Sequence, residues 1–259
     1  MIKAFFSTLK KYRYLMVELV KKDIKLKYRN SYLGVIWTLL EPLLTMVVLT
    51  IVFSHLLGKG TKDFPVYILT GRLLYTYFSN ATKSALKSIR KNGAMIKKVY
   101  VPKYMYPLSG VLSNYVMFLI SLIVLAGVAL IRGVYPTKYL LLIGLPLVQV
   151  LVLAMGVGMI LATAAVFFRD LEYLWGVALM LVMYTSAIFY QIEQVSTPSN
   201  AWIFKLNPLY SVIVNFRNAI FGMPFDMSAF WYASGISVIL LLCGSFAFYK
   251  KQDNFVLYI

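Results

Sequence analysis

Six stretches of this chain are long enough and apolar enough to cross a bilayer as helices: residues 33–57, 64–85, 104–131, 139–168, 174–192 and 229–249. A helix rises 1.5 Å per residue and the hydrocarbon core is about 30 Å thick, so about 20 apolar residues suffice. In lipid the backbone has no water to bond, and a spanning segment of this kind satisfies its own N–H and C=O groups as a helix. The expected fold is therefore an all-α integral membrane protein with six transmembrane helices, forming a single domain over residues 1–259. Composition agrees. Hydrophobic residues make up 61% and charged residues 14%, against about 45–50% and about 25% in soluble domains. One soluble core of this size cannot hide so much apolar surface.

Two segments do not read as simple spans. Residues 1–30 carry nine Lys or Arg, which leaves no apolar core of signal-peptide length. Phe5, Leu9, Tyr12, Met16, Leu19, Val20 and Ile24 nevertheless fall on one helical stripe opposite the lysines. That pattern predicts an amphipathic helix lying in the membrane interface, with a solvated basic tail as the alternative. Between the fifth and sixth runs, Pro198, Pro208 and Pro224 interrupt a half-apolar stretch. One or two short re-entrant helices fit it better than a span.

Nearly all of the Lys and Arg behind the net charge of +17 lie in the connections. The N-terminal segment holds nine Lys or Arg, residues 83–103 seven, the 169–173 turn one and the C-terminal tail two. The alternate connections at 58–63, 132–138 and 191–226 hold two each, and Arg72 lies within the second run. Positive charge marks the cytoplasmic side, so both termini and the 83–103 connection are expected inside. The same distribution fits lipid head groups and phosphate-bearing substrates rather than nucleic acid.

Several chemistries lack their residues. The chain contains no G-x-x-x-x-G-K-[ST] loop, so ATP bound in that way would sit on another polypeptide. A single histidine, His55, and a single cysteine, Cys243, leave no metal-site pattern and no intrachain disulfide. Asp170 and Glu172 share a short turn with Arg169, which reads as a charged membrane boundary rather than an acid–base pair. The chain is thus expected to be no enzyme. Glu41 stands inside the first apolar run beside Pro42. Two readings stay open for it: a carboxylate facing protein or a water-filled path, or one that snorkels to the interface.

Four passages carry a family resemblance: residues 27–43 (KYRNSYLGVIWTLLEPL), 92–108 (NGAMIKKVYVPKYMYPL), 168–171 (FRDL), and 207–210 (NPLY) followed by Arg217 and Gly222. In register and order, they resemble the permease subunits of type-2 ABC exporters that move lipid-linked polysaccharides, O-antigens and teichoic acids. The resemblance implies a homodimer in a bacterial or archaeal cytoplasmic membrane, engaging two copies of a separate ATPase. That ATPase would hold ATP and Mg, leaving this chain without a cofactor. The cargo would be a polyprenyl-diphosphate-linked glycan.

Site roles follow from the same resemblance and fit the residues. Lys25, Lys27 and Arg29, just before a Leu33–Gly34 turn, would receive the lipid diphosphate, Arg29 as a bidentate fork. Met95, Ile96, Lys97, Lys98, Val99 and Tyr100 would form the coupling helix seated on the ATPase. Trp37, Phe53, Tyr75, Tyr77, Phe78, Tyr184, Phe189 and Tyr190 would line an aromatic channel along which sugar rings slide. Asn207, Pro208 and Arg217 would belong to an external gate. Two rival functions share the same spans: export of a drug or a simple lipid, and a membrane-embedded enzyme acting on polyprenyl phosphates.

Overall fold

The computed structural model describes residues 12–29, 31–57, 63–98, 101–190 and 201–258. Every regular element among them is helical. The α-helices in chain order are α1 (Arg13–Tyr28), α2 (Trp37–Leu57), α3 (Phe64–Lys91), α4 (Gly93–Lys98), α5 (Met105–Arg132) and α6 (Gly144–Phe167). Then follow α7 (Leu171–Thr185), α8 (Ala201–Lys205), α9 (Pro208–Phe221), α10 (Met227–Lys251) and α11 (Phe255–Tyr258).

Among the described residues, four segments are long and apolar enough to cross a membrane: Gly34–Phe53, Met105–Arg132, Lys138–Phe167 and Met227–Tyr258. The two other predicted spans take different forms. α3 has 28 residues, ample length, but its polar groups (Arg72, Asn80, Lys83, Lys87) lower its hydropathy. It lies at the centre of the bundle, where Ile68, Leu69, Leu74, Ala81, Ala85 and Ile89 are fully buried against α5, α6 and α9. Helical neighbours, rather than lipid, surround this apolar face. α7 is apolar but only 15 residues long. Its chain leaves the helix at Ser186 and continues as a non-helical segment to Tyr190.

Close approach of α6 and α10 is set by two glycines. A Cβ on Gly156 would stand 2.6 Å from the backbone nitrogen of Leu241, and one on Gly244 would stand 2.7 Å from the carbonyl oxygen of Gly156. Small residues at such crossings let backbones touch where lipid gives no hydrophobic drive for association. Gln149 ties the same pair together by donating from Nε2 to the Phe230 carbonyl at 2.9 Å and to Ser234 Oγ at 2.7 Å.

The expected re-entrant stretch holds the two short helices α8 and α9. Asn207 caps α9, its side-chain oxygen accepting from the Leu209 N–H at 3.0 Å. Pro208 occupies the first turn, where its missing N–H costs nothing, and Gly222 ends the helix at a φ of 72°. At the other end of the chain, α1 buries Met16 and Leu19 in a cluster with Met105, Tyr106, Phe248 and Phe255. The first two residues of its predicted apolar stripe, Phe5 and Leu9, lie outside the described residues.

Candidate functional site

A polar groove runs between α1, α2, α3 and α5. On α2, Thr38, Glu41, Pro42 and Thr45 fall at helical spacing on one stripe and line it. The groove has two parts that share Lys27, Glu41, Asn80, Asn114 and Met117. The larger, of about 550 Å³, also reaches Asp23, Ser84 and Lys91. The smaller, of about 60 Å³, continues past Thr76 and Tyr77 to Arg72 and Ser121.

Charge in the groove is only partly paired. Asp23 meets Lys91 Nζ at 3.9 Å and accepts from Ser109 Oγ at 3.4 Å. Glu41 makes no ion pair or hydrogen bond among the described residues. Arg72 points its guanidinium at the Met183 sulfur, 3.9 Å away, and over the Tyr75 ring.

The three N-terminal cations separate by face. Lys27 lines both parts of the groove, four residues from Asp23 on the same side of α1. Lys25 and Arg29, also four apart, do not line the groove, and all three cations are exposed. Leu33 is exposed at 42%. Gly34 takes a φ of 51°, a left-handed value that glycine adopts without strain, and a Cβ there would meet nothing within 4 Å. Conformation, and not crowding, is what this turn asks of position 34.

The proposed coupling residues fall partly in α4. Met95 and Ile96 are half-buried against the Met16–Leu19 cluster, while Lys97 and Lys98 are exposed. Val99 and Tyr100 lie outside the described residues.

Of the eight aromatics expected along a channel, six pack within the bundle. Phe53 stacks on Phe189 with centroids 5.0 Å apart. Tyr75 donates its hydroxyl to the Leu179 carbonyl at 3.0 Å, Tyr77 packs against Tyr115 and Phe118, and Phe78 meets Trp175 edge-on. Tyr190 donates its hydroxyl to the Tyr184 carbonyl and packs on Phe204. Trp37 and Tyr184 are exposed, at 43% and 58%.

Arg217 forms the other polar focus. It is 6% exposed and reaches from α9 into the start of α3 and the segment after α7. Nε donates to Thr70 Oγ1 at 3.3 Å, Nη1 to the Ala187 carbonyl at 3.0 Å, and Nη2 to the carbonyls of Tyr67 at 3.1 Å and Ile188 at 3.3 Å. The guanidinium carbon lies 3.5 Å from the centroid of the Tyr67 ring. Carbonyls and a π face therefore hold this cation where a carboxylate is more usual. Ala187, one of its anchors, has a φ of 48°, unusual for a residue with a Cβ. The proximity of Asn207 to the same break is direct: its Nδ2 donates to Thr185 Oγ1 and Ser186 Oγ, both at 2.9 Å.

Sequence reasoning missed Asp23, Tyr67, Thr70, Gly71, Asn80 and Asn114. The Thr76–Asn80 and Asn114–Ser121 spacings, at or near helical repeats in apolar runs, held a signal for the groove. Nothing in the sequence marked Tyr67 or Gly71, whose roles depend on Arg217 arriving from 146 or more residues away. Among the described residues no three His, Cys, Asp or Glu side chains are grouped to hold a metal ion.

Residues 14–221 match the family model described as ABC-2 type transporter. The chain is 28% identical over 248 residues to the O-antigen export system permease protein RfbA of Myxococcus xanthus, covering 94% of this chain and 95% of that protein. It is 28% identical to the RfbA protein of Klebsiella pneumoniae, with 93% of each chain covered. It is 23% identical to the polysialic acid transport protein KpsM of Escherichia coli, over 91% of this chain and 92% of that one. With the family model spanning α1 through α9 and the relatives aligned nearly end to end, this chain belongs to the ABC-2 type transporter family.

Proposed function

We propose that this chain is the membrane subunit of an ATP-driven exporter that carries a polyprenyl-diphosphate-linked polysaccharide, of O-antigen or teichoic-acid type, out of the cytoplasm. The observation that carries the reading is the near full-length similarity to O-antigen export permeases. It acts in the cytoplasmic membrane of a bacterium or archaeon. Two copies pair around the path of the cargo, and each engages one separate ATPase subunit that holds ATP and Mg.

In this reading six helices span: the four long apolar ones, α3 shielded by its neighbours, and α7 with the segment that follows it. α1 lies in the inner interface, where its exposed Lys25 and Arg29 receive the diphosphate beside the Leu33–Gly34 turn. α4 hangs in the cytoplasm and transmits closure of the ATPases. α8 and α9, with Asn207, Pro208 and Arg217, form the outer gate. Exposed apolar faces such as Val47, Val48 and Ile51 on α2 contact lipid or the second copy. Trp37 and Tyr184, the two of the eight expected channel aromatics that are exposed, offer stacking surface to sugar rings.

Depletion of the protein in living cells tests the function. Lipid-linked glycan is expected to accumulate on the cytoplasmic side, identified by mass spectrometry of extracted lipids, within the time that surface polymer declines. Unchanged lipid-linked pools with a fall in some other exported lipid would replace the cargo assigned here.

Cysteine labelling tests the orientation. In a chain with Cys243 replaced by serine, Tyr135→Cys is expected to react with a membrane-impermeant maleimide from outside intact cells. Lys98→Cys should react only after permeabilisation. Both positions are exposed, so accessibility reports sidedness. Labelling of position 98 from outside would remove α4 from any contact with an ATPase.

A further inference from the structure

Among the described residues, Glu41 is the one carboxylate of the groove left without a partner. It projects from a helix apolar enough to cross a membrane, where an uncompensated charge is costly and faces a polar cavity or a partner. Asp23, lower in the groove, is already satisfied by Lys91 and Ser109. Lys27 shares both parts of the groove with Glu41, yet the two do not pair. Its ammonium has the Tyr28 ring at 5.7 Å. An anion and a cation thus face one polar space without neutralising each other. Asn114 adds an acceptor, since its Nδ2 is used on the Gly110 carbonyl while its oxygen makes no bond among the described residues. Tyr77, which lines the smaller part, is 3% exposed and its hydroxyl has no hydrogen-bond partner among the described residues.

The complement of such a space is a ligand with both charges close together. A diphosphate carries no cation and is repelled by Glu41. A zwitterionic phosphodiester with a primary ammonium two carbons away satisfies both groups. The groove also adjoins the exposed apolar face of α2 at Leu44, Val47, Val48 and Ile51, where acyl chains can lie. We propose that this groove binds one inner-leaflet phospholipid with a phosphoethanolamine-type head group, its ammonium on Glu41 and its phosphate on Lys27, as a resident lipid and not as cargo. This binding stands apart from the export reading and is read without transport.

The test uses the purified full-length chain in mild detergent, with native mass spectrometry after adding lipids of identical acyl chains. Phosphatidylethanolamine is expected to be retained more tightly than phosphatidylglycerol or phosphatidylcholine. Affinity should fall stepwise as the amine is methylated, because each methyl removes a charged hydrogen-bond donor. Glu41→Gln should weaken phosphatidylethanolamine about tenfold and leave phosphatidylcholine little changed. Lys27→Gln should weaken both. Water-soluble glycerophosphoethanolamine should displace nothing. Equal retention of the amine and glycerol head groups by the wild-type chain would overturn the proposal, as would an unchanged Glu41→Gln. Displacement by the soluble head group would overturn the lipid assignment and give the groove to a soluble phosphoamine. The methylation series needs no variant, so a poorly folding Glu41→Gln chain leaves the proposal testable.

Discussion

Arg217→Met is expected to lower stability by about 3 kcal/mol or more, a large fraction of what holds a domain folded. The substitution nearly preserves volume but strips donors from the carbonyls of Tyr67, Ala187 and Ile188 and from Thr70. Those acceptors come from two elements that Arg217 joins, and Ala187 keeps its positive φ in their midst. Arg217→Lys retains charge but replaces a planar fork stacked on Tyr67 by a point charge, so it should recover only part of the loss. Gly71→Ala attacks the same place from the other side. A Cβ at Gly71 would stand 2.6 Å from Arg217 Nη2 and 3.4 Å from Ile188 Cα. Thermal unfolding of the detergent-solubilised protein, followed by intrinsic fluorescence, compares the three. A melting midpoint for Arg217→Met equal to wild type would show that the network contributes nothing to stability and leave Arg217 free for a role in gating alone.

Carrier-lipid stimulation of ATP hydrolysis by the reconstituted transporter is expected to weaken about tenfold in Arg29→Ala, the cost of one charged hydrogen bond. Arg29→Lys should regain part of it. Lys27→Ala should shift the half-maximal carrier concentration less, because Lys27 lines the groove with Glu41 while Arg29, outside the groove, stands near the Leu33–Gly34 turn. Equal half-maximal concentrations for Arg29→Ala and wild type would reduce Arg29 to an anchoring charge. A larger shift in Lys27→Ala than in Arg29→Ala would move the diphosphate into the groove, where the phosphoethanolamine lipid is placed.

Much of the architecture was legible because long-range contacts are not needed to read it. Apolar length dictates helices in lipid, and the runs at 104–131, 139–168 and 229–249 coincide with α5, α6 and α10 to within a few residues. Asn207-Pro208 and Gly222 marked the start and end of α9 by local capping chemistry alone. The fifth run was read too long. Ala187, Ile188, Phe189 and Tyr190 continue the apolar pattern toward residue 192, but the helix stops at Thr185 and Asn207 binds its last hydroxyls from a distant turn.

What the sequence by itself determined is the solvent and the family. An all-helical chain with several membrane-crossing segments follows from apolar length and charge placement, and four passages in order carry the ABC-2 likeness. Tertiary structure alone decided which polar groups meet. Hydropathy is a sum over neighbours in sequence, whereas pairing depends on which helices adjoin. Thus Arg217, whose passage suggested an outer gate, is bound by carbonyls of α3 and the segment after α7. Six of the aromatics expected along a channel pack against other groups of the bundle. Lys27 and Arg29, two residues apart in sequence, part company because a helix turns about 100° per residue and sends them to different surfaces.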